Sequence, residues 1–169
     1  QTYLSAIKKG YKIAEGGLNT AHDLKNGTYN LHQNYFNSLT QVSPAVKNDP
    51  KIPLIAKYQQ QIMDSFDHEI SWESGQFILT GDEMSYLQKV YNNILTQCSR
   101  DLDELKMTVD PGTQMKDEER IKRIDAIYTS TNDKYSFSQS FLQTVRAFAL
   151  DRQTGKQQLQ IIRKLYDGY

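Results

Sequence analysis

TGDEMSYLQKVYNNILTQCSRDLDELKMTVDPGTQMKDEERIKRIDAIYTSTNDKYSFSQSFLQTVRAFALDR, residues 80–152, reads as two long amphipathic helices joined by a turn around Pro111-Gly112. In its first half Leu87, Tyr91, Ile94, Cys98, Leu102 and Leu105 recur at three- and four-residue steps, which an α-helix gathers onto one side. In its second half Ile121, Ile124, Tyr128, Tyr135, Leu142, Val145 and Ala149 climb the same ladder, with Thr131 and Ser138 as small polar rungs. Thr80 and Glu83 have the reciprocal spacing of a capping box, and Leu79 stands where a staple residue belongs. Asp110-Pro111-Gly112 stops the first helix near Val109. Asp117 opens the second as its cap, with Glu118 and Glu119 in the first turn, where the helix dipole favours anions. A connector this short forces the two helices antiparallel. The second pattern runs to about Arg152, after which Thr154-Gly155 reads as a break before a last helix carrying Leu159, Ile162, Leu165 and Tyr166.

Working outward toward the N-terminus, the connector Gln76 to Leu79 is expected to tuck Phe77, Ile78 and Leu79 under the bundle. Before it, Ile52, Ile55, Gln59, Ile62, Phe66 and Ile70 trace a helix face that ends between Trp72 and Gly75, and Asp49 is placed to cap it ahead of Pro53. Leu31, Tyr35, Phe36, Leu39 and Val42 mark a further helix, which starts after the Asn26-Gly27 turn and ends at Ser43-Pro44. Leu4, Ile7, Tyr11, Ala14, Leu18 and Ala21 mark the first helix, interrupted by Gly10, Gly16 and Gly17. Each of those glycines costs roughly 1 kcal/mol against alanine inside a helix, so that helix depends on tertiary contacts. The expectation is one all-α domain over residues 1–169, an antiparallel bundle of five to six helices built on a long hairpin of about 81–109 and 117–152.

Composition narrows the function classes. Twenty Lys and Arg balance twenty Asp and Glu, whereas a general nucleic-acid binder needs a basic surface to meet the phosphate backbone. Arg120, Lys122 and Arg123 form a local basic group, but acidic neighbours surround it. Tyr135 and Phe137 with nearby cations are the best available stacking platform for single-stranded nucleic acid, and the neutral charge argues against it. With one cysteine, Cys98, the chain can form no internal disulfide and no thiolate-based zinc site. No apolar run approaches the length of a membrane span. Eleven of the aromatic residues are tyrosine, a side chain that buries its ring and keeps its hydroxyl wet, so tyrosines belong at core margins or on a contact surface.

The candidates for chemistry are few. His22, His32 and His68 are the histidines. Asp64, Asp67, His68 and Glu69 form the best local group, because Asp64 and His68 lie one helical turn apart and could supply two ligands where a zinc site needs three or four. Asp101, Asp103 and Glu104 bring three carboxylates within little more than one turn, suited either to a hard cation or to a solvated flank facing Arg120, Lys122 and Arg123 across the hairpin. Cys98 sits on the apolar stripe as a small buried hydrophobe. No nucleophile elbow, His-Glu-x-x-His pair or phosphate-cradling glycine loop occurs. No catalytic, cofactor-binding or metal-binding residue is therefore assigned, and no enzyme activity is expected.

The strings Leu31-His32-x-x-Tyr35-Phe36, Val42-Ser43-Pro44-x-Val46, Asp103-Glu104-Leu105 and Met115-x-Asp117-Glu118-Glu119-Arg120-Ile121-x-x-Ile124-Asp125-x-Ile127-Tyr128 resemble a family of small helical proteins encoded with Bacteroidetes conjugative transposons. Some members carry a tellurite-resistance-B-like label. The resemblance implies an exported, periplasmic or secreted protein made with a cleaved leader, which suits a chain opening at Gln1. It also implies a protein that works through contacts with a protein of the transfer apparatus or envelope. The alternative reading is a metal-binding or metal-dependent stress-response protein using the Asp64/His68 face or the Asp101/Asp103/Glu104 flank. Neither reading sets an oligomeric state.

Overall fold

The computed structural model describes residues 43–166, and side chains up to residue 164. The described chain forms a short helix α1 (Pro44–Lys47) and three long ones, α2 (Lys51–Gln76), α3 (Gly81–Val109) and α4 (Asp117–Tyr166). No strand occurs among the described residues, so the chain is all-α there. The expected helices around residues 2–24 and 31–42 lie outside the described residues.

The hairpin is α3 and α4, as its stripes require. Leu87, Tyr91, Ile94, Cys98, Leu102 and Leu105 are all buried, and so are Ile124, Thr131, Ser138, Leu142 and Ala149 on the return helix. The α2 face is buried from Ile52 through Phe66, and α2 packs along α4 as the third rod. Two apolar clusters result. One joins Ile62, Met63 and Phe66 of α2 to Leu87 through Cys98 of α3 and to Phe141 and Leu142 of α4. At its centre Phe66 stacks on Tyr91 with ring centroids 4.8 Å apart, and Phe141 stands 6.2 Å from Phe66. The other cluster lies toward the hairpin turn and joins Val46, Ile52 and Ile55 to Leu105, Val109, Ile124 and Ile127. Tyrosines 58, 86, 128 and 135 are half-buried at the margins, with Tyr58 stacked on Tyr135 at 4.9 Å.

The clearest local signal at a helix start holds. Thr80 accepts from the Glu83 amide, and the Glu83 carboxylate accepts from the Thr80 amide at 2.8 Å, which completes the capping box of α3. Leu79 and Met84 both pack on the first cluster, as a staple does. The cap position of α2 is Pro50 and not Asp49, whose carboxylate accepts from the Lys51 amide at 2.9 Å from one residue further out.

Four further expectations need correction. Asp117 is the first helical residue rather than the cap, because the Lys116 carbonyl accepts the opening helical bonds from Glu119 and Arg120. Thr154-Gly155 is not a break. The helix runs on through it, so the second arm of the hairpin ends at Tyr166 instead of Arg152, and the expected last helix is the far end of α4. Thr154 turns its hydroxyl back to the Leu150 carbonyl at 3.0 Å, and no atom from outside the local helix backbone stands within 4 Å of where a Gly155 side chain would begin. Phe77 does not tuck under the bundle. It closes α2 in the left-handed region, at φ 52°, and stands 85% exposed, while Ile78 and Leu79 turn inward. Finally, Asp101, Asp103 and Glu104 form no ion pair with Arg120, Lys122 or Arg123. Asp101 pairs with Lys134 at 2.8 Å and accepts from the Ser130 and Thr131 hydroxyls, while Arg123 pairs along its own helix with Glu119.

Arg120 has a different task. Its guanidinium donates to the carbonyls of Thr108, Asp110, Thr113 and Met115, all within the chain reversal. These include acceptors left open where α3 ends, so one buried cation closes the turn.

Candidate functional site

The opposite end of the bundle is assembled from the last two turns of α2, the first turn of α3 and the middle of α4. The buried ladder of α2 does not stop at Phe66. It continues at Glu69 and Glu73, which carries two carboxylates into the seam with α4. Glu69 is received by Arg146, whose Nε stands 2.9 and 3.1 Å from the two carboxylate oxygens and whose Nη2 stands 2.8 Å from one of them. The same guanidinium lies over the Trp72 ring, 3.6 Å from its centroid. A planar cation between a carboxylate and an aromatic face is oriented by both.

One turn on, Glu73 is 1% exposed, and neither carboxylate oxygen has a hydrogen-bond partner among the described residues. Burial, and after it the charge of Glu69, pushes its carboxyl up to about 7, against the opposing pull of Arg146. Glu83 goes the other way. Its oxygens accept from Arg152 at 2.7 and 2.8 Å, and this pairing, helped by Thr80, holds the carboxyl down to about 2. Arg152 also donates to the Ile78 carbonyl at 3.2 Å and lies over the Phe148 ring. It therefore ties the α2–α3 connector to α4. Beside Glu83 a cavity of about 290 Å³ opens, with an apolar wall of Leu79, Tyr86, Val145 and Phe148.

Past Arg152, α4 continues for about 21 Å at 1.5 Å per residue. Residues 154–164 are all exposed. This overhang keeps the stripe that buries the helix lower down: Leu159 follows buried Phe141 by about five turns, on the same side. Leu159 is 60% exposed and Ile162, one turn later, 55%, with Ile161 exposed on the flank. Lys156, Arg163 and Lys164 accompany them, and no carboxylate occurs between residues 152 and 166. Together with Phe77 and Leu150, this end holds most of the exposed large apolar side chains among the described residues; Met107, near the other end, is an exception.

Of the residues singled out from sequence, Glu69 belongs to this corner and the others lie elsewhere. Asp64 and His68 are both exposed on α2, where Asp64 accepts from Gln60 at 2.8 Å. Asp67 turns toward Tyr91, whose phenol is pushed up by burial and then by that carboxylate. Asp103 and Glu104 are exposed on α3, apart from the Asp64/His68 face. No group of three or more His, Cys, Asp and Glu side chains placed to hold a metal ion occurs among the described residues. His22 and His32 lie outside the described residues. Cys98 is buried, and desolvation pushes its thiol up to about 12, the reverse of what a nucleophile needs. Tyr135 is stacked on Tyr58 and Phe137 on Phe141, so each ring already has one face covered by a neighbour.

A carboxyl near neutrality suits a general acid. Glu73, however, is sealed within the seam and does not line the cavity. The arrangement is suited to holding helices together and presenting a surface. Sequence reasoning grouped Glu69 with Asp64, Asp67 and His68 and passed over Glu73, Arg146 and Arg152, although the signal was there: Ile62, Phe66, Glu69 and Glu73 follow one another at four-, three- and four-residue steps. Among the described residues, no helix is long and apolar enough to cross a membrane. Comparison with protein-family models, curated proteins and solved structures finds no match for this chain.

Proposed function

We propose that this chain is a non-enzymatic, exported helical protein that acts through protein–protein contacts, as an accessory of a conjugative element's transfer apparatus in the cell envelope. The observation that carries the contact reading is the α4 overhang, a helix that leaves the bundle with its apolar stripe uncovered and cations beside it. Burying Leu159 and Ile162 against a partner is worth roughly 1.5–3 kcal/mol each, a contribution that the rest of a contact would add to. The family resemblance supplies the envelope and the transfer apparatus. On the same reading, the helix patterns of residues 2–24 and 31–42 join the three long helices to complete a bundle of five.

The experiment is affinity capture of tagged chain from the envelope fraction of a conjugating cell, run beside the double variant L159K/I162K. Wild type is expected to bring down transfer-apparatus proteins in stoichiometric amount, and the variant to lose at least tenfold. Recovery of none by wild type would count against the functional reading, whereas equal recovery by both would move the contact away from the overhang.

A further inference from the structure

At the corner where α2 ends and α3 begins, five charged side chains converge from three helices: Glu69 and Glu73 from α2, Glu83 from α3, Arg146 and Arg152 from α4. Two of the three carboxylates are matched. Glu69 has Arg146 and Glu83 has Arg152, each through paired hydrogen bonds of 2.7–3.1 Å. Glu73 lies in the same enclosure, buried and without a hydrogen-bond partner among the described residues. With a proton on Glu73 the group holds two negative and two positive charges. Without it the group holds three against two, and the extra charge sits where water does not reach. An unpaired buried charge is among the costlier things a fold can contain, so the two protonation states cannot hold the corner equally well.

We propose that Glu73 is a proton-operated latch for this corner: protonated, it lets the α2–α3 connector close on α4; ionised, it repels Glu69 and Glu83 and loosens the corner at the root of the overhang. The sign follows from the direction of the shift. Burial lifts the folded-state carboxyl from 4.5 to about 7. The unfolded chain therefore gives up this proton at lower pH than the folded chain does. The stabilisation is full below about 4.5 and is lost as pH rises through about 7.

Trp72 makes the latch observable. It is the single tryptophan of the sequence, it precedes Glu73, and it lies under the Arg146 guanidinium that is shared with Glu69. The experiment is a fluorescence titration of the full chain from pH 5 to 9, on wild type, E73Q and H68Q. Wild type is expected to show a reversible change in Trp72 emission with a midpoint near 7. E73Q is expected to be flat, and to melt on the order of 5 °C above wild type at pH 8 while matching it at pH 5. H68Q, which removes the exposed imidazole one turn before Trp72, is expected to titrate as wild type does. A flat wild-type curve, a midpoint that survives in E73Q, or one that disappears in H68Q would each overturn the proposal. Should E73Q fail to fold, carbon-13 NMR of the glutamate carboxyls in wild type decides the matter: one resonance titrating near pH 7 supports the latch, and none above pH 5.5 refutes it.

Discussion

The two ends of the bundle use the same kinds of residue to different effect. At the hairpin end, Arg120 is buried and donates to four carbonyls of the reversal, and the acids of the first α4 turn sit in the favourable field of the helix start. At the other end, two arginines serve three carboxylates, Glu73 has no hydrogen-bond partner among the described residues, Phe77 is held in a left-handed conformation, and α4 leaves with Leu159 and Ile162 uncovered. One end is finished as a structural closure. The other departs from ordinary stability rules at several adjacent places, and it is there that the proposed contact surface lies.

The largest expected effect comes from breaking the closed end. Arg120→Ala leaves buried carbonyls without a donor and should cost about 3 kcal/mol, lowering Tm by on the order of 10 °C in a thermal melt. Glu83→Gln strikes the open end. It weakens the capping box and removes the charge that pairs with Arg152, for a loss of about 1–2 kcal/mol in urea unfolding. Because Glu83 is held near 2 in the folded chain, well below its ordinary 4.5, its contribution is present above pH 4.5 and lost as pH falls toward 2. Wild type should therefore lose stability over that acid range more steeply than E83Q does.

Phe77→Gly should raise stability by about 0.5–1 kcal/mol, since glycine occupies positive φ freely and the exposed ring contributes no core packing. If the contact reading holds, the same variant weakens partner capture while it strengthens the fold. The smallest effect is expected from L159K/I162K. Both sites are exposed, so Tm should stay within about 1–2 °C of wild type and helical circular dichroism should be unchanged. A large drop in Tm would mean that the overhang is packed on the bundle.

The hairpin was legible from the sequence because its stripes are long and its punctuation is strong. Thr80 with Glu83, and Asp110-Pro111-Gly112, mark boundaries by mechanisms local enough to read without a fold. The end of α4 was harder. Thr154-Gly155 weakens a helix by roughly 1 kcal/mol, but does not end it when helix formers flank both sides and no neighbouring element demands a turn. The ion cluster was obscured for a different reason. Acids on a helix normally face water, and Glu69 and Glu73 are distinguished only by their place on an apolar ladder and by arginines some 75 residues later in the chain. Asp101 illustrates the same limit, because its partner Lys134 follows from helix register and not from the nearest cationic string. Asp64 and His68 were read from spacing alone, and they lie on an exposed face.

The central claim is that the molecule works at its open end. It is tested most directly by placing a photo-crosslinking residue at position 159 or, in a separate chain, at exposed position 118 of the hairpin end, and irradiating conjugating cells that express each. The account predicts a discrete adduct with another protein from position 159 and none from position 118. Adducts from 118 alone, or equally from both, would contradict it.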